Sequence, residues 1–237
     1  MKTDSVQVLY EDNHLLVVNK PPLLATMGAE SGSPTAVAWG KDYLRHKYKK
    51  PGNVFLGVVS RLDSFVSGVL PLARTSKAAQ RLTQAFAQRK VDKLYLALIK
   101  GDLDAMQDRW VDWVKKNDRR KRMELVSSGE SGGQQAILDF EVLSRWRDLA
   151  LVAIQLETGR KHQIRVQFAD RGFPILGDQK YGGQPVDSDG IFLHCYRLRL
   201  PHPTQGRTVE IVADLPPHWS RRCPRLDEHL KTLAARG

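Results

Sequence analysis

The sequence predicts an α+β protein built around a large, mostly antiparallel sheet. Three observations predict it. Strand-like apolar runs number about eight or more, against three or four helical stretches. The two kinds are unevenly mixed, without the regular alternation that a doubly wound parallel sheet requires. Finally, 237 residues with 41% apolar and 27% charged side chains are enough to bury a core, which excludes wholesale disorder.

The elements follow in order. Residues 6–10 and 15–19 are apolar runs split by Glu11-Asp12-Asn13, a turn cluster, and read as a hairpin ended by Pro21-Pro22. Ser33-Pro34 opens a helix through Tyr48, with the proline at its first position, and Pro51-Gly52 closes it. Residues 54–59 read as a buried strand and 68–73 as a second, with Arg61-Leu62-Asp63 between them. Ser76 caps a helix through Arg89, in which Ala79, Leu82, Ala85 and Phe86 fall at helical spacing. Strands are expected over 93–100, 110–114, 136–142 and 149–156, with the loop SSGESGG at 127–133. A short helix over 161–170, strands over 193–200 and 208–213, and a helix over 225–235 complete the chain. No repeat and no composition break divides it, so one domain spanning 1–237 is expected.

Lys and Arg total 37 against 26 Asp and Glu, a formal charge of +11. Much of it is concentrated. Residues 115–122, KKNDRRKR, carry six bases and one acid, and residues 41–50, KDYLRHKYKK, carry five bases and one acid. Two such patches point to a polyanionic partner, since each phosphate neutralised releases counterion. Neither has the apolar face of a membrane-surface helix, so nucleic acid is expected and a membrane is not. No apolar run reaches the roughly 18 residues of a membrane span, and the N-terminus has no apolar signal core. With two cysteines and no C-x-x-C, neither a disulfide framework nor a cysteine-rich metal site is indicated. A soluble, cytoplasmic monomer is the expectation.

Phosphate-binding, dinucleotide and nucleophile-elbow motifs are missing. His194 and Cys195 are adjacent on a predicted strand and point to opposite faces, which suits no single metal. Two features remain. Asp63 follows an apolar run and is set between Arg61 and a Ser-Phe-Val-Ser-Gly turn; read alone, it is a turn-initiating aspartate. Thr158–Arg165, TGRKHQIR, packs donors and cations into a strand-to-helix junction, with Lys161 and Arg165 on one helical face; read alone, it is a capped amphipathic helix.

At this point five blocks, in order, carry a resemblance: VLYEDNHLLVVNKPP, GVVSRLDSFVSGVLPLARTSKAA, KLYLALIKG, ETGRKHQIRVQFADRGFPILGDQKYGG and FLHCYRLRLPHP. Together they resemble the RluA-like family of RNA pseudouridine synthases from Val8 to about Val212. The resemblance implies a mixed sheet split by a central catalytic cleft and flanked by helices, with no cofactor and no metal. It implies that Asp63 is the catalytic aspartate, that Tyr95 meets the uracil, and that Arg165 pairs with the aspartate. Arg61 then holds the RNA after the base is everted, while Arg160, His162 and Gln163 form a polar rim for substrate. The substrate implied is structured RNA, ribosomal or transfer, and DNA is not expected.

The chain departs from the family's H-R-L-D-R-x-T-S-G. Ser60 replaces the histidine, Ser64 the base after the aspartate, and Phe65-Val66 follow where polar positions are usual. Many members carry an N-terminal S4 RNA-binding domain. Here the pattern begins at residue 6 and no S4 domain is expected, with segments 41–50 and 115–122 substituting for it. The departures keep open a non-catalytic RNA-binding protein on the same scaffold. A glycoside hydrolase pairing Asp63 with Glu157 is a third reading, against which the basic surface weighs.

Overall fold

The computed structural model describes residues 6–28, 33–187 and 190–235. The fold is α+β, with a large, mostly antiparallel sheet and four α-helices among the described residues. In chain order the elements are β1 (Gln7–Glu11), β2 (Leu15–Lys20), α1 (Ala36–Lys47), β3 (Gly57–Val58), β4 (Ser67–Ala73), α2 (Ser76–Ala87), β5 (Asp92–Lys100), β6 (Gln107–Asn117), β7 (Arg122–Val126), β8 (Gln134–Trp146), β9 (Leu149–Leu156), α3 (Gln163–Asp170), β10 (Leu193–Pro201), β11 (Thr208–Val212) and α4 (Leu226–Ala235). None of the described helices is long and apolar enough to cross a membrane. The chain divides into two compact units, each made from two stretches of sequence: residues 1–93 with 195–214, and residues 94–194 with 215–237.

In the first unit the strand order is β1-β2-β4-β10, with β11 on β10 and β3 on the end of β4. Leu15 to Val18 of β2 are fully buried, and every residue of β4 is buried. Asp12 closes the β1–β2 turn by accepting from the amides of His14 and Leu15 at 2.7 and 2.8 Å. Burial works against its charge, but those amides, His202 and Tyr10 outweigh it and hold the Asp12 carboxyl down at about 2. His202 Nδ1 accepts from the amides of Thr204 and Gln205, so Nε2 carries the proton that it donates to Asp12.

Helix α1 buries Ala36, Gly40 and Leu44 at four-residue intervals, one stripe along its length. Thr35 caps it, accepting from the amide of Ala38, and Pro34 lies before the cap instead of inside the helix. Gly40 lets the helix approach closely, because a Cβ there would sit 2.7 Å from a Leu56 methyl. Helix α2 is likewise capped by Thr75, one residue before the expected Ser76. The strand expected over 54–59 shrinks to Gly57–Val58: Val54 and Leu56 are buried, but by packing outside the strand. Gly68 of β4 has a φ of +114°, and a Cβ there would lie 2.2 Å from the Cys195 carbonyl oxygen. Only glycine permits that approach of the two backbones.

The second unit orders its strands β5-β9-β8-β6-β7. The strand expected over 110–114 is the middle of the longer β6, and β7 was not expected at all. Together they make a hairpin whose tip is the basic segment 115–122: Lys115 to Asn117 and Arg122 are paired on the strands, and residues 118–121 form the turn. β6 leaves β8 at the Val114–Gln134 pair, so the hairpin from Lys115 onward extends past that neighbour. Val114 and Met123 of the hairpin pack with Ala136, Val166 and Tyr181. Trp110, Phe140 and Phe168 pack in tilted and edge-on pairs with ring centroids 4.6–5.7 Å apart. The segment after Val212 had no role legible in sequence. It delivers Trp219, fully buried, against Phe192 at 5.4 Å and His194 at 6.3 Å.

Candidate active site

The first unit carries Asp63. It lies in the connection from β3 to β4, half-buried, on a turn closed by the Val66 amide donating to the Asp63 carbonyl at 3.1 Å. Two buried side chains fix this turn from behind. Thr26 Oγ1 donates to the Leu62 carbonyl at 2.8 Å and accepts from the Leu62 amide at 3.1 Å. Lys20, the last residue of β2 and 0% exposed, donates from Nζ to the carbonyls of Pro21, Leu24 and Ser64 at 2.9, 2.8 and 3.3 Å. Burial draws the Lys20 ammonium down to about 7, and the negative charge of Asp63 works in the opposite direction. A lysine inside Leu15–Lys20, LLVVNK, is a signal available in the sequence, because a cation at the end of a buried strand needs acceptors. Its task of holding the Asp63 turn is not legible there. Arg61 and Phe65, on either side of Asp63, are exposed.

The second unit carries the other expected residues. Tyr95 is on β5, opposite Ile154 of β9, and 8% exposed. Arg165 is on α3 and 3% exposed. Its Nε and Nη2 donate to the two oxygens of Asp178, itself 1% exposed, at 2.7 and 2.8 Å, a bidentate and buried ion pair. The same guanidinium lies 5.0 Å from the centre of the Tyr181 ring. The Tyr181 hydroxyl accepts from the Met123 amide and meets His162 Nδ1 at 2.8 Å. Asp178 was missed by sequence reasoning: in ILGDQKYGG it reads as an ordinary turn aspartate between glycines.

The polar rim is tightly bonded. His162 caps α3 in the left-handed region, φ 54°, without a side-chain cap bond. The helix therefore begins at Gln163, and Lys161 lies outside it, exposed, so the shared helical face with Arg165 does not form. Gln163 is 2% exposed: its Oε1 accepts from the Thr158 hydroxyl and the Arg160 amide, and its Nε2 donates to the Ile137 carbonyl. Arg160 donates from Nε to the Gln135 carbonyl at 2.9 Å. Glu157 binds Arg109.

This fold is shared. A human protein titled RNA pseudouridylate synthase domain containing 1 superposes with a TM-score of 0.75 at 25% identity, covering 99% of this chain and 97% of that one. Residues 14–170 match the family model of RNA pseudouridylate synthase. The protein named "uncharacterized RNA pseudouridine synthase YlyB" of Bacillus subtilis is 34% identical over 213 residues, 89% of this chain and 69% of that one. Ribosomal large subunit pseudouridine synthase C of Buchnera aphidicola is 34% identical, over 88% of this chain and 67% of its own. Synthase D of Pasteurella multocida is 31% identical, over 89% and 68%. The chain belongs to the RNA pseudouridylate synthase family. It is an RNA-modifying enzyme, an isomerase that makes pseudouridine.

Proposed function

We propose that the chain isomerises a specific uridine of ribosomal RNA, with transfer RNA the second candidate, and that Asp63 is its catalytic aspartate. Relatives named as ribosomal large subunit synthases support the choice of RNA. The observation that carries the aspartate is its setting: one carboxylate on a turn fixed at Leu62 and Ser64 by buried side chains, with an exposed arginine two residues before it. The reaction breaks the N1–C1′ bond, turns the uracil and rejoins it through C5. The C5 proton leaves and N1 regains one, so nothing is oxidised or hydrolysed. A carboxylate serves this as nucleophile or as base. Tyr95 is assigned to the uracil and its C5 proton, and Arg165 to keeping the aspartate ionised. Eversion of the uridine costs a few kcal/mol, offset by phosphate contacts and stacking, and Arg61 fills the vacated space. Arg160 and His162 serve the RNA at the rim, with Gln163 setting the loop they stand on. Uridine is a ribonucleoside, so DNA is not the substrate, and a cytoplasmic monomer is the working form.

A pseudouridine map of host RNA tests this, with the gene intact, deleted and restored. One or more sites should vanish on deletion and return with the wild-type gene alone. A map in which no site changes, or in which Asp63→Asn restores every site, overturns the reading.

Both basic segments use part of their charge inside the protein: Lys47 binds Glu11 at 2.6 Å and Arg45 binds Asp42 in 41–50, while Lys115 binds Glu130 at 3.1 Å and Lys116 binds Asp118 in 115–122. The hairpin turn presents Arg119, Arg120 and Lys121 exposed. Changing these three to glutamine should weaken RNA binding. The slope of log affinity against log salt should become shallower by about 2 to 3. An unchanged slope in a salt titration removes the hairpin from the RNA interface.

A further inference from the structure

Phe65 is 46% exposed, two residues from Asp63. A single exposed aromatic is ordinary on a protein surface. This one is set apart by its mounting. Leu62 and Val66 on either side are buried, and the backbone is bonded at Leu62 by Thr26, at Asp63 by the Val66 amide, and at Ser64 by Lys20. These bonds hold the backbone of the turn with the Phe65 ring exposed. A rigidly presented ring loses little entropy when something stacks on it. Met27, 50% exposed, follows the Thr26 that ties the two segments together, and Arg61 adds an exposed guanidinium. An aromatic face beside a cation is the pairing that grips unpaired bases of any identity.

We infer that Phe65 is a stacking platform for an unpaired base of any identity next to the target uridine, a contact of this chain in place of the polar residues usual around the aspartate. The inference rests on Asp63 being the residue that meets the target nucleotide. Two residues of chain span at most about 7 Å, which puts Phe65 within reach of a flanking base rather than a distant one.

The test compares two single strands of about 12 nucleotides, one of uridines and one of abasic ribose phosphates. Phosphate contacts act on both, stacking on the first alone. Wild type should prefer the uridine strand. Phe65→Ala should weaken binding of the uridine strand by roughly 5- to 150-fold and leave the abasic strand unchanged. Phe65→Trp should keep the preference, which excludes misfolding as the cause. Equal uridine-strand affinity for wild type and Phe65→Ala, or no preference in wild type, overturns the platform. The measurement is repeated with Asp63→Asn, so that chemistry plays no part. A protein that changes no site in the pseudouridine map but keeps a Phe65-dependent preference loses the catalytic reading, and with it the place beside a target uridine, and keeps Phe65 as a base-stacking residue. The opposite pair of results does the reverse.

Discussion

Replacing Asp63 with asparagine is expected to lower pseudouridine formation by at least about 10³-fold while leaving the fold and RNA affinity close to wild type. The amide is nearly isosteric with the carboxylate, and Thr26, Lys20 and the Val66 amide hold the turn through its backbone groups. What the exchange removes is the negative charge and the basicity of the carboxylate. It also removes the anion whose field supports the buried Lys20 ammonium. Asp63→Glu keeps the charge but moves it by a methylene, and near-attack geometry tolerates little displacement, so this variant should also be severely impaired. Release of tritium from C5-labelled uridine in host RNA measures both. Activity of Asp63→Asn within tenfold of wild type would place the chemistry elsewhere.

The second large effect is on stability. Asp178→Ala strands the Arg165 guanidinium, 3% exposed, without the carboxylate that takes two of its N–H groups. Breaking a buried pair from one side costs about 3–5 kcal/mol, which for a chain of this length lowers the melting temperature by roughly 10 °C. Replacing both partners, Arg165→Met with Asp178→Leu, should recover most of that loss, since apolar substitutes need no solvation. It should not recover activity, because the cation is gone. Thermal melts and rates on the two singles and the double separate the two contributions. A double variant as active as wild type would reduce Arg165 to a structural residue.

The sequence was most informative where local chemistry and final environment agree. The β1–β2 hairpin is legible because Asp12 both breaks the apolar runs and bonds the turn amides. Strand β7 was not legible. Its neighbours in KKNDRRKR look like solvated chain, and only the packing of Met123 under Tyr181 and Val166 makes a strand of it. The opposite error occurred at 54–59, where apolar residues pack without a ladder along most of the run. In the candidate site, Asp63 and Arg165 stood out locally as a turn aspartate and part of a cationic junction, but their roles, and Tyr95 altogether, came from the order of five blocks. Lys20 and Asp178 escaped for one reason. Each acts on a partner remote in sequence, Ser64 and Arg165, and neither residue type announces its partner.

Because each compact unit is assembled from two stretches of chain, synthesis and folding cannot run in step. β4 leaves the ribosome early, yet its partner β10 follows about 120 residues later. Until then one edge of β4 lacks its partner strand, and Gly68, shaped for contact with Cys195, has nothing to meet. Strands β5 to β9 emerge and pair in the interval, each close in sequence to its partners. The nascent protein thus carries an incomplete N-terminal sheet while its middle matures, and the unit that holds the Asp63 turn is finished by two late strands, β10 and β11, that contribute none of the expected catalytic residues.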